Sequence, residues 1–173
     1  KPGKPASEAD SYRPISLASC LAKLIEKLIN NRLKWYLEKN GLIPRCQAGF
    51  RSGYTTMDHV VRLETTVKTA FNQKKITSAV FLDLTKAYDV TRITGFLFKT
   101  RKLGIRGKLL RWLKNFLAGR TAQVRIDSCT SGLRTLLKGV PQGGVLSPTL
   151  FVIYMYDFPS PRAGIRLSLF ADD

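Results

Sequence analysis

Two apolar segments far apart in the chain each carry aspartate where a buried strand would carry hydrocarbon. Ser78 to Leu84, SAVFLDL, is a continuous run rich in branched and aromatic residues; it predicts a buried strand, and Asp83 interrupts it. Ile165 to Phe170 reads as a second strand that runs into Asp172 and Asp173. Aspartate is almost never buried unless it is paired or bound to metal, so both placements need compensation. If the strands are neighbours, the three carboxylates converge, and a divalent cation between them relieves their repulsion. Neither motif contains histidine or cysteine, so the donors are all oxygen, which suits magnesium. Two such ions about 3.5 to 4 Å apart would clamp the attacking and leaving oxygens of a phosphoryl or nucleotidyl transfer. Taken singly, each aspartate also has a plainer reading: Asp83 pairs with a lysine such as Lys86, and Asp172-Asp173 is a solvated tail.

Charge narrows the partner. The 173 residues carry 29 Lys and Arg against 12 Asp and Glu, a formal +17, which predicts a polyanion. The basic residues are interleaved with aromatics through globular segments and do not gather in a terminal amphipathic helix, so nucleic acid is favoured over an anionic membrane. No acidic residue lies between Asp89 and Asp127, while Arg92, Lys99, Arg101, Lys102, Arg106, Lys108, Arg111, Lys114, Arg120 and Arg125 do; a phosphate-tracking surface is expected there. The alternative is a solvated helix face. At 44% apolar residues the composition is globular, and a chain of this length buries roughly two thirds of its unfolded surface, so it folds without a metal or disulfide staple. Cys20, Cys46 and Cys129 form no CxxC pair, and with His59 the single histidine no structural zinc site is expected; reduced thiols inside the cell are the expectation. The longest apolar run, Val145 to Met155, is too short to span a bilayer and is broken by Ser147 and Pro148. The KPGKP start and the end at Asp173 both read as cuts in a longer chain.

Periodicity gives an α+β chain. Leu21, Leu24, Ile25, Leu28, Ile29 and Leu33 form the apolar face of a helix capped by Ser19 and stopped at Asn40-Gly41. A second helix is expected from a cap at Thr56 to about Asn72, with Val60, Leu63, Val67, Ala70 and Phe71 inward. Helical or turn structure follows to about Leu103, then a helix near Lys108 to Leu117 stopped by Gly119. Short strands are expected at Ala122 to Ile126 and Leu133 to Leu137, and Ser147-Pro148 should cap a helix from Thr149 to about Tyr156. Between them Gly139 to Pro148, GVPQGGVLSP, is a stiff glycine-rich loop that lets backbone approach a ligand, with Gln142 as its polar probe. It is neither a Walker loop nor a dinucleotide fingerprint. His59 has no nucleophile partner and GxSxG is absent, which sets acyl transfer aside.

Taken together, FLDLTKAYD at Phe81 to Asp89, GVPQGGVLSPTLF at Gly139 to Phe151 and FADD at Phe170 to Asp173 resemble, in order, the palm motifs of reverse transcriptases. YRPISL at Tyr12 to Leu17 and QAGFRSGYTT at Gln47 to Thr56 resemble the fingers motifs of the non-LTR, LINE-type retrotransposon branch, most like the jockey group. The resemblance implies a right-hand polymerase fold, with about 1–77 mainly fingers and about 78–173 mainly palm, the palm incomplete and the thumb absent. It implies an RNA-directed DNA polymerase acting in the nucleus on an RNA template, a DNA primer and deoxynucleoside triphosphates. Two Mg2+ ions, replaceable by Mn2+, would be held by Asp83, the Leu84 carbonyl and Asp172, with Asp173 as third acidic member. Tyr88 matches the steric gate against a ribose 2′-OH, and Gln142 the glutamine that touches the incoming nucleotide. Arg13 and Lys23 are implied near the triphosphate, and Arg51 and Gly143 along template and primer. Gly144 stands where many relatives have serine, Tyr156-Asp157 replaces a common Asn-Asp, and Val90 to Thr94 lacks the usual pattern after the first palm motif. These residues alone are expected to polymerise weakly or not at all. The competing readings are a non-catalytic basic RNA- or DNA-binding domain and a group II intron-type enzyme.

Overall fold

The computed structural model of the chain describes Gly3, Pro5, Ser7, Glu8 and residues 11–159, 161, 162 and 164–172. Helix α1 spans Cys20–Lys39; Ser19 caps it, its hydroxyl accepting from the Ala22 N–H at 3.2 Å, and Asn40 closes it. Helix α2 spans Thr56–Asn72 with Thr55, one residue earlier than expected, as N-cap. The Asp58 carboxylate accepts from both the Thr55 N–H (2.6 Å) and its hydroxyl (3.1 Å), satisfying the donors that a helix start leaves free. Four-residue α3 (Ala87–Val90), α4 (Ile93–Lys102) and α5 (Gly107–Leu117) follow. Four two-residue strands come next: β1 (Thr121–Ala122) pairs antiparallel with β4 (Arg134–Thr135), and β2 (Arg125–Ile126) with β3 (Cys129–Thr130). They make two short ladders where a single strand pair is expected, and β3 lies in the stretch between the two expected strands. Helix α6 is Ser147–Tyr154.

The core lies around α6. Ser147, Thr149, Leu150, Phe151, Val152 and Ile153 are all buried, so six of its eight residues face protein, as befits a helix that is apolar nearly all round. α4 packs against both α5 and α6, and α1 against α6. Leu33, Leu37, Phe96, Leu103, Ile105, Leu113, Leu117, Leu146 and Leu150 fill the space between them. Lys99 of α4 donates to the Tyr154 carbonyl at 2.7 Å and pairs with Asp157 at 2.5 Å, closing the C-terminal end of α6 with positive charge. Among the described residues no helix is long and apolar enough to cross a membrane.

Four expectations need correction. The buried face of α1 is Glu26, Asn30, Leu33 and Leu37, and Leu21, Leu24, Ile25 and Leu28 are exposed; α6 docks on the stripe that includes two polar residues because it has polar groups to match them. α2 buries no residue, and Val60, Leu63, Val67 and Phe71 face solvent. Residues 78–84 form no strand, and Val80, Phe81 and Leu82 are 83%, 83% and 71% exposed. A strand exists only where a ladder partner supplies its hydrogen bonds, and the segment expected to supply them, Ile165 to Phe170, instead makes one parallel bridge from Leu169 to Gln47. Finally, Leu146, not Ser147, is the N-cap of α6; the Ser147 hydroxyl turns back to donate to the Pro141 carbonyl at 2.5 Å.

Candidate functional site

The glycine-rich loop is laced to the segment after Asp83 by backbone. The Gly139 N–H donates to the Thr91 carbonyl (2.7 Å) and the Val140 N–H to the Tyr88 carbonyl (2.8 Å). Gly139 sits at φ +85°, and a Cβ there would lie 3.0 Å from the carbonyl oxygens of Tyr88 and Asp89, so the approach needs glycine on both counts. Arg120 pins the same stretch from the hairpin side, its guanidinium donating to the carbonyls of Lys138 (2.8 Å) and Gly139 (2.6 Å). Burial lowers its pKa, and the charge of Asp89 opposes that shift. With the backbones joined, Gln142 Nε2 donates to Asp89 Oδ1 at 2.8 Å. The Tyr88 ring stacks on Phe151 of α6, 5.0 Å between centroids and 17° from parallel. Burial, and after it the negative charge of Asp172, pushes the Tyr88 hydroxyl up to about 12, so the phenol stays neutral at physiological pH.

Asp172 arrives by a different route. Residues 46–49 grip the segment before it: the Leu169 N–H donates to the Cys46 carbonyl (2.8 Å), and the Leu169 carbonyl accepts from the Ala48 N–H (2.9 Å) and contacts His59 Nε2 (3.0 Å). The Gln47 side chain, 1% exposed, then reaches the next turn. Its Oε1 accepts from the N–H groups of Gly49 (2.7 Å) and Ala171 (3.0 Å), and its Nε2 donates to the Ala171 carbonyl (3.3 Å). Ala171 has φ +63°, left-handed backbone that alanine rarely adopts. The outcome is that Tyr88, Asp89, Gln142 and Asp172, drawn from three separated motifs, share one neighbourhood.

Other expected site residues lie differently. Asp83 and Leu84 are exposed, and the Leu84 carbonyl accepts from the Ala87 N–H at 3.3 Å. Arg13 and Lys23 are exposed; the Tyr12 to Leu17 segment meets the loop where the Ser16 N–H donates to the Gln142 carbonyl (2.8 Å), beside exposed Gly143. Arg51 is engaged within the protein: its guanidinium forms a two-point pair with Glu38 (2.8 and 2.6 Å), donates to the carbonyl of Gln47 (3.0 Å), and lies 4.4 Å from the Tyr54 ring centroid. The hydrogen bond to Glu38 raises its pKa further. Asp173 lies outside the described residues. Asp83, the Leu84 carbonyl and Asp172 are the all-oxygen set a hard dication takes, but among the described residues no cluster of three or more His, Cys, Asp or Glu is close enough to hold a metal.

Several contacts were not foreseen. Glu26 Oε2 accepts from the Leu146 N–H (3.1 Å), and Asn30 Oδ1 accepts from the Thr149 hydroxyl (2.6 Å), so a polar stripe on α1 holds the start of α6. The spacing of Glu26, Asn30, Leu33 and Leu37 marks one helical face and was the available signal. Gly144 lies under the same carboxylate, and a Cβ there would meet Ser147 Oγ at 2.9 Å and Glu26 Oε2 at 3.1 Å. The Gln47 contacts span 124 residues and left no local trace.

Comparison with known proteins agrees with the motifs. The reverse transcriptase (RNA-dependent DNA polymerase) family model matches residues 1–173. The chain is 40% identical over 163 residues, 94% of its length, to a probable RNA-directed DNA polymerase from transposon BS of Drosophila melanogaster. Over its whole length it is 37% identical to a probable RNA-directed DNA polymerase from transposon X-element of the same species, and 36% identical to the RNA-directed DNA polymerase from mobile element jockey of Drosophila funebris. It spans 18%, 19% and 20% of the length of these three relatives.

Proposed function

The chain belongs to the reverse transcriptase (RNA-dependent DNA polymerase) family, and from that premise we propose that it is the polymerase segment of a non-LTR retrotransposon enzyme, with about 1–77 mainly fingers and about 78–173 mainly palm. In the reaction a primer 3′-oxygen forms a bond to the α-phosphorus of a deoxynucleoside triphosphate opposite an RNA template. The bond from that phosphorus to the bridging oxygen breaks, the 3′-hydroxyl loses its proton, and pyrophosphate leaves. Asp83, the Leu84 carbonyl and Asp172 would hold Mg2+ or Mn2+, with Asp173 as third acidic member. Bound there, the ions supply a lowered pKa at the 3′-hydroxyl and neutralise charge on the triphosphate. Tyr88, braced flat against Phe151, is the wall that a ribose 2′-OH meets. Gln142, steadied by Asp89, contacts the incoming nucleotide. Arg13 and Lys23 serve the triphosphate, Gly143 the primer and template, and Arg51 reaches the template only by leaving Glu38.

The reading is carried by one observation: Gln142 bonds to Asp89 at 2.8 Å beside the Val140 N–H on the Tyr88 carbonyl, joining two separated motifs that a nucleotide would touch at once. It is tested by extension of a primed RNA template by the full-length chain with and without magnesium. Asp83→Asn and Asp172→Asn should each abolish extension while sparing nucleic-acid binding; a rate within tenfold of the parent refutes the role. The exposure of Asp83 favours one alternative, a nucleic-acid-binding domain without catalysis, which would bind in a salt-dependent way and never extend a primer.

A further inference from the structure

We propose that Gln47 is the positioning residue for Asp172: its buried carboxamide brackets both backbone polar groups of Ala171 and so sets the direction in which the next side chain points. The proposal rests on the polymerase reading above. Ala171 holds φ +63°, a conformation that costs an alanine free energy and persists only where its surroundings over-determine it. The determinants at Ala171 itself come from residues 47–49. Gln47 Oε1 takes the Ala171 N–H at 3.0 Å, and Gln47 Nε2 donates to the Ala171 carbonyl at 3.3 Å. The Gly49 N–H, donating to the same Oε1 at 2.7 Å, fixes which way the amide faces. Closeness is enforced from below, since a Cβ on Gly49 would sit 2.1 Å from the Ala171 nitrogen. His59 and Ala48 hold the Leu169 carbonyl two residues earlier, so the turn is fastened on both sides of Phe170.

A side chain that reads both the donor and the acceptor of one residue works as a backbone surrogate. It carries on to Ala171 the backbone pairing that residues 46–48 make with Leu169. A leucine of nearly the same size in its place fills the volume and removes both hydrogen bonds. The left-handed turn then relaxes, and the Asp172 side chain loses the backbone that sets its direction.

Three measurements on the full-length chain test this. In hydrogen exchange without substrate, the peptide covering 165–172 should lose protection at least tenfold in Gln47→Leu, and less in Gln47→Glu, which keeps both acceptor contacts. In primer extension, the magnesium concentration for half-maximal rate should rise at least tenfold in Gln47→Leu and several-fold in Gln47→Glu. Primer-template affinity without metal should stay within twofold. A purely structural Gln47 would reduce the active fraction and leave that magnesium midpoint where it was, and an unmoved midpoint in Gln47→Glu overturns the proposal even if Gln47→Leu fails to fold. Unchanged exchange in Gln47→Leu overturns it as well. A parent that extends no primer at any magnesium concentration defeats the polymerase reading instead, and the exchange experiment still decides the bracket.

Discussion

Tyr88 is held on two sides: its ring lies flat on Phe151, and its own carbonyl accepts from Val140. A ring so fixed cannot swing away from a 2′-hydroxyl, which is what a steric gate requires. Tyr88→Val should therefore raise the ratio of ribonucleotide to deoxynucleotide incorporation by roughly 100-fold, the scale on which a shaped pocket rejects one extra group. Competitive single-nucleotide extension measures it, and unchanged rejection removes Tyr88 from that role. Glu26 is a second residue whose surroundings dictate the outcome of a substitution. It is 3% exposed and accepts the Leu146 N–H, so Glu26→Leu leaves that donor buried and unpaired, a loss of about 1 to 3 kcal/mol. Glu26→Gln keeps an acceptor and should recover most of it in urea unfolding.

Helix α2 buries no residue, and its start depends on Asp58. The hydrogen bonds from Thr55 hold that carboxyl below its ordinary value of 3.8. A depressed carboxylate pKa stabilises the folded form above the unfolded value, and the contribution is lost as pH falls through the folded one. Amide exchange in the first turn of α2 should therefore quicken relative to α6 below pH about 3.8, and Asp58→Asn should show the quickened state already at neutral pH. Exchange in the first turn that ignores both changes would show that the cap contributes nothing. Element boundaries of this kind were legible in the sequence: α1, α2 and α5 fall within a residue or two of where caps and periodicity put them, while β3 occupies the stretch between the two expected strands. The buried faces of α1 and α2 were not. Periodicity separates two sides of a helix without naming the neighbour, and α6 chose the side of α1 bearing Glu26 and Asn30 over the more apolar one. Residues 78–84 depart from the expected strand for a related reason, since an apolar run records a preference for burial while a strand also needs a partner. Of the site, Tyr88, Gln142 and Asp172 were readable as motifs, but the Gln47 bracket was not, because nothing near position 47 refers to position 171.

Across the whole molecule the formal charge is +17, and Arg101, Lys102, Arg106, Lys108, Arg111 and Lys114 are all exposed on or between α4 and α5. Binding to nucleic acid should weaken linearly in log–log form as salt rises. Replacing Lys108, Arg111 and Lys114 with glutamine should reduce that slope by about one per residue that meets a phosphate, without altering sequence preference. A slope unchanged by all three would move the phosphate track off α5. Helix α6 is gripped at its head by Glu26 and Asn30, at its waist by Tyr88 and at its foot by Lys99, on the same helix as Arg101 and Lys102. A rod clamped at three heights can neither slide nor spin. The tether from Gln142 to Leu146 carries that rigidity forward, since Gly143 holds φ +93° and a Cβ on Gly144 would meet Ser147 Oγ at 2.9 Å, so a side chain at either glycine should disturb the loop itself and, on the proposed polymerase reading, the error rate along with it.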